Sequence, residues 1–154
     1  MIELSKILTP ELIIYPLQAQ TKSEVVAQLV EILAKNGKLS DLEAAKNAVI
    51  RREELMTTGV GKGVALPHGK YPNTDEVLVS FGISKTGIDF NAIDGLPVHI
   101  FVLLLTPEQF PTKHLKLLGK FSRILNDAGC REALLAADSP QQIAEILYQY
   151  DTAG

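Results

Sequence analysis

Between Val25 and Leu33 the apolar residues Val25, Val26, Leu29, Val30, Ile32 and Leu33 recur three and four positions apart, the spacing of one face of a helix. Thr21 and Glu24 in front of them have the form of a capping box, and Asn36-Gly37 behind them is a helix stop. A second pair, Ser40 and Glu43, predicts another capped helix through Leu42, Ala45, Val49 and Ile50 to about Leu55. The next stretch, from Thr57 to Lys70, has glycine at 59, 61, 63 and 69 and cannot be a regular helix. It reads as loop, short strand, loop.

Two strand patterns follow. Val77 to Ile83 alternates and is rich in branched residues, which predicts a strand covered on one face. Pro97 to Leu105 is nearly all apolar, which predicts a central strand covered on both faces. From Pro111 onward His114, Leu117, Leu118, Phe121, Ile124, Leu125 and Ala128 mark a single helical stripe, with His114 in the first turn and facing inward. Ser139, Pro140 and Gln142 open a last helix whose buried side is Ile143, Ile146 and Leu147. Helices and strands interleave without a strict βαβ rhythm. The expected fold is α/β, a mixed sheet with helices on both faces. No linker, repeat or block of like charge divides residues 1–154, so one domain is expected.

Composition narrows the chemistry. Fifteen Lys and Arg against eighteen Asp and Glu leave a net charge of −3, which offers no general attraction for nucleic acid or anionic lipid. The longest apolar run, Ile100 to Leu105, is far short of the roughly 18 residues of a membrane span, and no signal-peptide pattern opens the chain, so a soluble cytoplasmic protein is expected. The single cysteine, Cys130, lies in a helical region and reads as a core thiol. Three histidines, His68, His99 and His114, are left for chemistry near neutral pH.

The glycine run does not match a nucleotide cradle. A Walker loop needs Gly-Lys followed by Ser or Thr to hold magnesium, and here Gly63 follows Lys62. A dinucleotide loop joins a strand to a helix, whereas this run follows a helix and leads to Pro67 and His68. Gly61, Gly63 and Gly69 bracket that histidine, which would hold its imidazole at a fixed place on a rim. A neutral imidazole has a lone pair and can accept a phosphoryl group. The transferred group needs cations and donors around its oxygens. Arg51 or Arg52, the hydroxyls of Thr57 and Thr58, and the loop amides are the local supply, and arginine suits the task because its planar fork binds phosphate oxygens in pairs. His99, inside the apolar strand, reads as a hydrogen-bonded core histidine. Zinc binding by the three histidines is disfavoured, because they lie 31 and 15 residues apart and form no compact ligand motif.

The string Arg52, Glu53, then Thr57 to His68, TTGVGKGVALPH, closely resembles the active-site signature of the IIA proteins of the bacterial phosphotransferase system, in the fructose, mannitol and nitrogen-regulatory class. The resemblance continues through the strand after Pro97 to His114 and Leu115 and covers essentially the whole chain. It implies a mixed-sheet α/β fold and a phosphoryl carrier in which His68 takes phosphate from the phosphohistidine of a small HPr-like carrier, on Nε2. It also implies that Arg52 binds the phosphate and that His114 faces His68, with Thr57, Thr58 and Gly59 in the phosphate-binding stretch. The scheme needs no metal or other cofactor, and a IIB domain or a regulatory target would be the next partner. Val60, Val64, Leu66 and Tyr71 are candidates for the docking surface around His68, and each equally suits the core. A regulatory module whose phosphorylation state selects protein partners is the alternative. A third reading, a sensor domain that is never phosphorylated, is disfavoured by the intact Arg52, His68 and His114.

Overall fold

The computed structural model describes residues 3–72, 74–109 and 111–152. In chain order the elements are α1 (Leu4–Ile7), a 3-10 turn (Pro10–Leu12), β1 (Ile13–Ile14), α2 (Lys22–Lys35), α3 (Leu42–Leu55), β2 (Gly59–Gly61), β3 (Val64–Ala65), β4 (His68–Lys70), β5 (Leu78–Ile88), β6 (Val98–Thr106), α4 (Pro111–Asn126), α5 (Ala128–Ala136) and α6 (Pro140–Thr152). The strands form one mixed sheet of order β1-β5-β6-β3-β2, with β4 also paired to β6. β6 is central, as its apolar run predicts: antiparallel β5 lies on one side, and parallel β3 and β4 follow one another along the other. Leu66 and Pro67 interrupt that flank between Ala65, opposite Phe101, and His68, opposite Leu104.

The pleat assigns the faces, because alternate residues along a strand point to opposite sides. Ser80 of β5 donates its hydroxyl to the Leu29 carbonyl of α2 at 2.8 Å, and a Cβ on Gly69 of β4 would lie 3.0 Å from Val49 N of α3. Ser80 pairs with Leu103 and Gly69 with Leu105, so α2 and α3 share the face of the odd-numbered β6 residues. The even-numbered ones, Leu104 and Thr106 among them, face α4, whose His114 meets Thr106. Helices therefore cover both faces, and one core of apolar side chains runs through the sheet. Among the described residues no helix is long and apolar enough to cross a membrane.

Several expectations need correction. Leu78 to Ser84 is buried throughout, not on one face. The small residues Ser80, Gly82 and Ser84 mimic an exposed polar face, yet their size is what lets α2 approach, and a Cβ on Gly82 would already touch Leu17 and Leu29 at 3.4 Å. The cap of α3 is Asp41, whose carboxylate accepts from Ala44 N at 3.0 Å. Ser40 is displaced from that role because the buried Tyr71 hydroxyl takes the Asp41 amide at 2.9 Å and lies 3.3 Å from the Ser40 hydroxyl. The stripe predicted through Ala128 ends with α4 at Asn126; Asp127 starts α5 by accepting from Cys130 N, and Ala128 is exposed. Arg131 reaches back to the Leu125 and Asn126 carbonyls, ending α4 with a cation where free carbonyls gather. The capping box at Thr21 and Glu24 and the cap at Ser139 are found as expected.

Candidate functional site

The glycine run folds into a β2–β3 hairpin followed by β4. Lys62 and Gly63 both take left-handed conformations, at φ 60 and φ 78, the geometry of the tight turn that fits twisted strands. The Lys62 amide donates to Asp94 and its ammonium to Asn126 at 2.7 Å. These glycines serve a hairpin, not a phosphate cradle of the nucleotide type. Gly69 has a different purpose, since its missing Cβ admits the backbone of α3 at Ala48 and Val49. That close approach sets the end of α3, and with it Arg52, beside the start of β4.

His68 begins β4 immediately after the strand break at Pro67. Its Nδ1 lies 2.8 Å from the Leu66 carbonyl. A carbonyl only accepts, so the proton is on Nδ1 and the lone pair is on Nε2. Burial and the Arg52 guanidinium hold the His68 pKa below the ordinary value, against the smaller opposing pull of the Leu66 carbonyl and Glu53. The ring is therefore neutral and nucleophilic at pH 7. His114 enters from α4 on the same face; the two ring centroids are 5.3 Å apart with an interplanar angle of 61°. Burial, His68 and Lys70 lower the His114 pKa as well.

Arg52 donates from Nη1 to the Met56 carbonyl at 2.9 Å, closing the C-terminus of α3. Next to it Glu53 is buried, with its carboxylate receiving the Thr58 amide at 2.8 Å, the Thr58 hydroxyl at 2.5 Å and the Lys22 ammonium at 3.0 Å. Thr57 donates its hydroxyl to the Phe90 carbonyl at 2.8 Å and accepts from Gly59 N at 3.0 Å. Both threonine hydroxyl protons are thus already given within the protein, and these residues shape the loop between α3 and β2. Sequence reasoning did not single out Glu53 for this role. The signal was a glutamate in the otherwise apolar register of α3, four residues after Val49.

His99 lies at the other end of the central strand. It is five residues before Leu104, the pairing partner of His68, or roughly 16 Å away at about 3.3 Å per residue. It is half-buried, and its Nδ1 donates to the Ser84 carbonyl at 2.9 Å, so the three histidines do not converge. Cys130 is a buried thiol whose pKa burial pushes up to about 11. Of the four residues proposed for a docking surface, Val64, Leu66 and Tyr71 are core and only Val60 is exposed, at 50%. Among the described residues, Leu55, Met56, Ile93, Leu96 and Leu115 are exposed apolar side chains on neighbouring segments.

The chain can be compared with known proteins. The family model for the phosphoenolpyruvate-dependent sugar phosphotransferase system, EIIA 2, matches residues 6–150. A nitrogen regulatory protein of Bradyrhizobium diazoefficiens is 35% identical over 146 residues, 94% of this chain and 94% of that protein. The fructose-specific EIIABC component of a PTS system in Bacillus subtilis is 34% identical over 149 residues, which is 97% of this chain but only 24% of that longer protein. Among solved structures, the nitrogen regulatory protein IIA-Ntr of Neisseria meningitidis superposes with a TM-score of 0.87 at 28% identity, covering 94% of this chain and 98% of that one. The mixed sheet, the paired histidines and a match along nearly the whole chain agree: this protein belongs to the EIIA 2 family of the phosphoenolpyruvate-dependent sugar phosphotransferase system.

Proposed function

We propose that His68 is the phosphoryl acceptor and that the protein carries the group as a phosphohistidine between a donor and a downstream acceptor. The observation that supports this best is the His68 ring itself: its Nδ1 proton is tied to the Leu66 carbonyl, and its free Nε2 lies on a neutral imidazole beside His114 and near Arg52. The His68 Nε2 lone pair attacks the phosphorus of a phosphohistidine on an HPr-like carrier. A new N–P bond forms at His68 as the donor's N–P bond breaks and its electron pair returns to the donor imidazole. The Arg52 guanidinium offsets the charge on the three phosphoryl oxygens, and His114 faces them as a hydrogen-bond donor. Because the donor and acceptor chemistries are alike, the exchange is close to energetically even, as a relay requires. A cytoplasmic site fits such a relay, with a IIB domain as the downstream acceptor.

Incubation with phosphoenolpyruvate, the upstream kinase and the carrier tests this. Wild-type protein should gain one phosphoryl group, and His68→Ala should gain none; uptake at the normal rate by His68→Ala would overturn the assignment. A second reading, in which phosphorylation of His68 selects regulatory partners, is favoured by the match to nitrogen regulatory proteins over nearly their whole length. Efficient onward transfer to the cysteine of a IIB domain would decide for transport, and its absence for regulation.

A further inference from the structure

Thr106 ends β6 and is buried, with its side chain on the face that carries Leu104 and His68. Its hydroxyl lies 2.6 Å from His114 Nδ1. Either group could be the donor, but the two choices are unequal. If Nδ1–H donates, the threonine oxygen accepts, and the hydroxyl proton is left with no other acceptor among the described residues. If the hydroxyl donates, both groups are satisfied and the imidazole proton sits on Nε2. A buried hydroxyl proton without an acceptor is the costlier arrangement.

We propose that Thr106 is a positioning residue that locks His114 as the neutral Nε2–H tautomer, making it a hydrogen-bond donor toward a group on His68 and not a second base. The two histidines then have opposite tautomers. Leu66, an obligate acceptor, places the His68 proton on Nδ1 and leaves Nε2 as the nucleophile; Thr106, acting as donor, occupies the His114 Nδ1 lone pair and leaves Nε2–H to be given. Neither Nε2 has a hydrogen-bond partner within the described residues. The rings meet edge to face at 5.3 Å, so a phosphoryl group added to His68 Nε2 would bring acceptor oxygens toward a donor that has no other partner. A neutral donor also avoids placing a third cation beside Arg52 and Lys70 before the phosphate arrives. This inference rests on the reading of His68 as the phosphoryl acceptor.

The test is side-chain ¹⁵N NMR of the unphosphorylated full chain at pH 7.5, with phosphate uptake measured on the same samples. Wild-type His114 should show the Nε2–H pattern, and His68 the Nδ1–H pattern. Thr106→Val removes the hydroxyl at nearly constant shape; it should leave His114 a mixture of tautomers and slow uptake about tenfold. Thr106→Ser should restore the Nε2–H pattern and bring uptake back to within about twofold of wild type. An Nδ1–H pattern at His114 in the wild type overturns the proposal even if the valine variant fails to fold. It is equally overturned by a folded valine variant with unchanged tautomer and uptake. If instead the wild type takes up no phosphate on His68, the functional reading fails, while the NMR spectra still decide the tautomer.

Discussion

The most consequential residue-level contrast is between side chains that are committed within the protein and those left free. Glu53 receives three donors, and both threonine hydroxyls are used by the loop. Arg52 spends one nitrogen on Met56, and under the proposed function the rest of its guanidinium is available to the phosphoryl oxygens. Arg52→Lys retains a cation that can still reach the Met56 carbonyl but loses the planar fork. Its initial rate of phosphate uptake should fall roughly 10²-fold, with stability to urea changed by less than about 0.5 kcal/mol. Glu53→Gln should behave in the opposite way. Loss of the carboxylate charge under three donors should cost about 2 kcal/mol of stability, measured by urea unfolding, because the Lys22 ammonium and the Thr58 amide then face a weaker acceptor.

Among the elements, the β2–β3 hairpin and the α3–β4 contact use glycine for different reasons, and substitution separates them. Gly63 stands at φ 78 with no backbone atom crowding it, so Gly63→Ala should cost about 1 kcal/mol and leave phosphate uptake near normal. Gly69 has ordinary backbone angles, but a Cβ would lie 3.0 to 3.1 Å from backbone atoms of Val49 and Ala48. Gly69→Ala should push α3 off β4, lowering stability by about 2 kcal/mol and slowing uptake as well, because α3 carries Arg52. Parallel urea curves and uptake rates for the two variants would show the split. Helix existence was legible from periodicity because the repeat is local. The cap at Asp41 was not, since Ser40 and Asp41 are both good caps and only Tyr71, thirty residues on, chooses between them. The two-sided burial of β5 was likewise hidden, because Ser80 looks like a solvent-facing position until α2 is laid over it.

For the molecule as a whole, the two histidines of the site make stability depend on pH. Burial lowers the pKa of His68 and of His114 from the ordinary 6.5, so the unfolded chain binds protons more readily than the folded one. Stability therefore rises with pH up to about the unfolded value of 6.5 and is lost as pH falls below it. A His68→Gln/His114→Gln double variant should lose less stability than the wild type between pH 7.5 and pH 5.5, as read from urea midpoints; an equal loss would assign the acid sensitivity to other groups.

The helices α2, α3, α4 and α6, the central strand, the signature from Arg52 to His68 and the inward place of His114 could be read from the amino-acid sequence, because each depends on residues close together in the chain; α1, β1 and α5 were not, nor was the division of the glycine run into β2, β3 and β4. Tertiary structure decided the rest. Parallel pairing of β4 with β6 sets His68 opposite Leu104 and two positions from Thr106, and α4 then lays His114 against both. The same strand holds His99 apart at its far end. Which nitrogen of each ring bears the proton follows from a carbonyl at Leu66 and a hydroxyl at Thr106. No local pattern could reveal that, since a tautomer is fixed by a partner that only folding brings within hydrogen-bond distance.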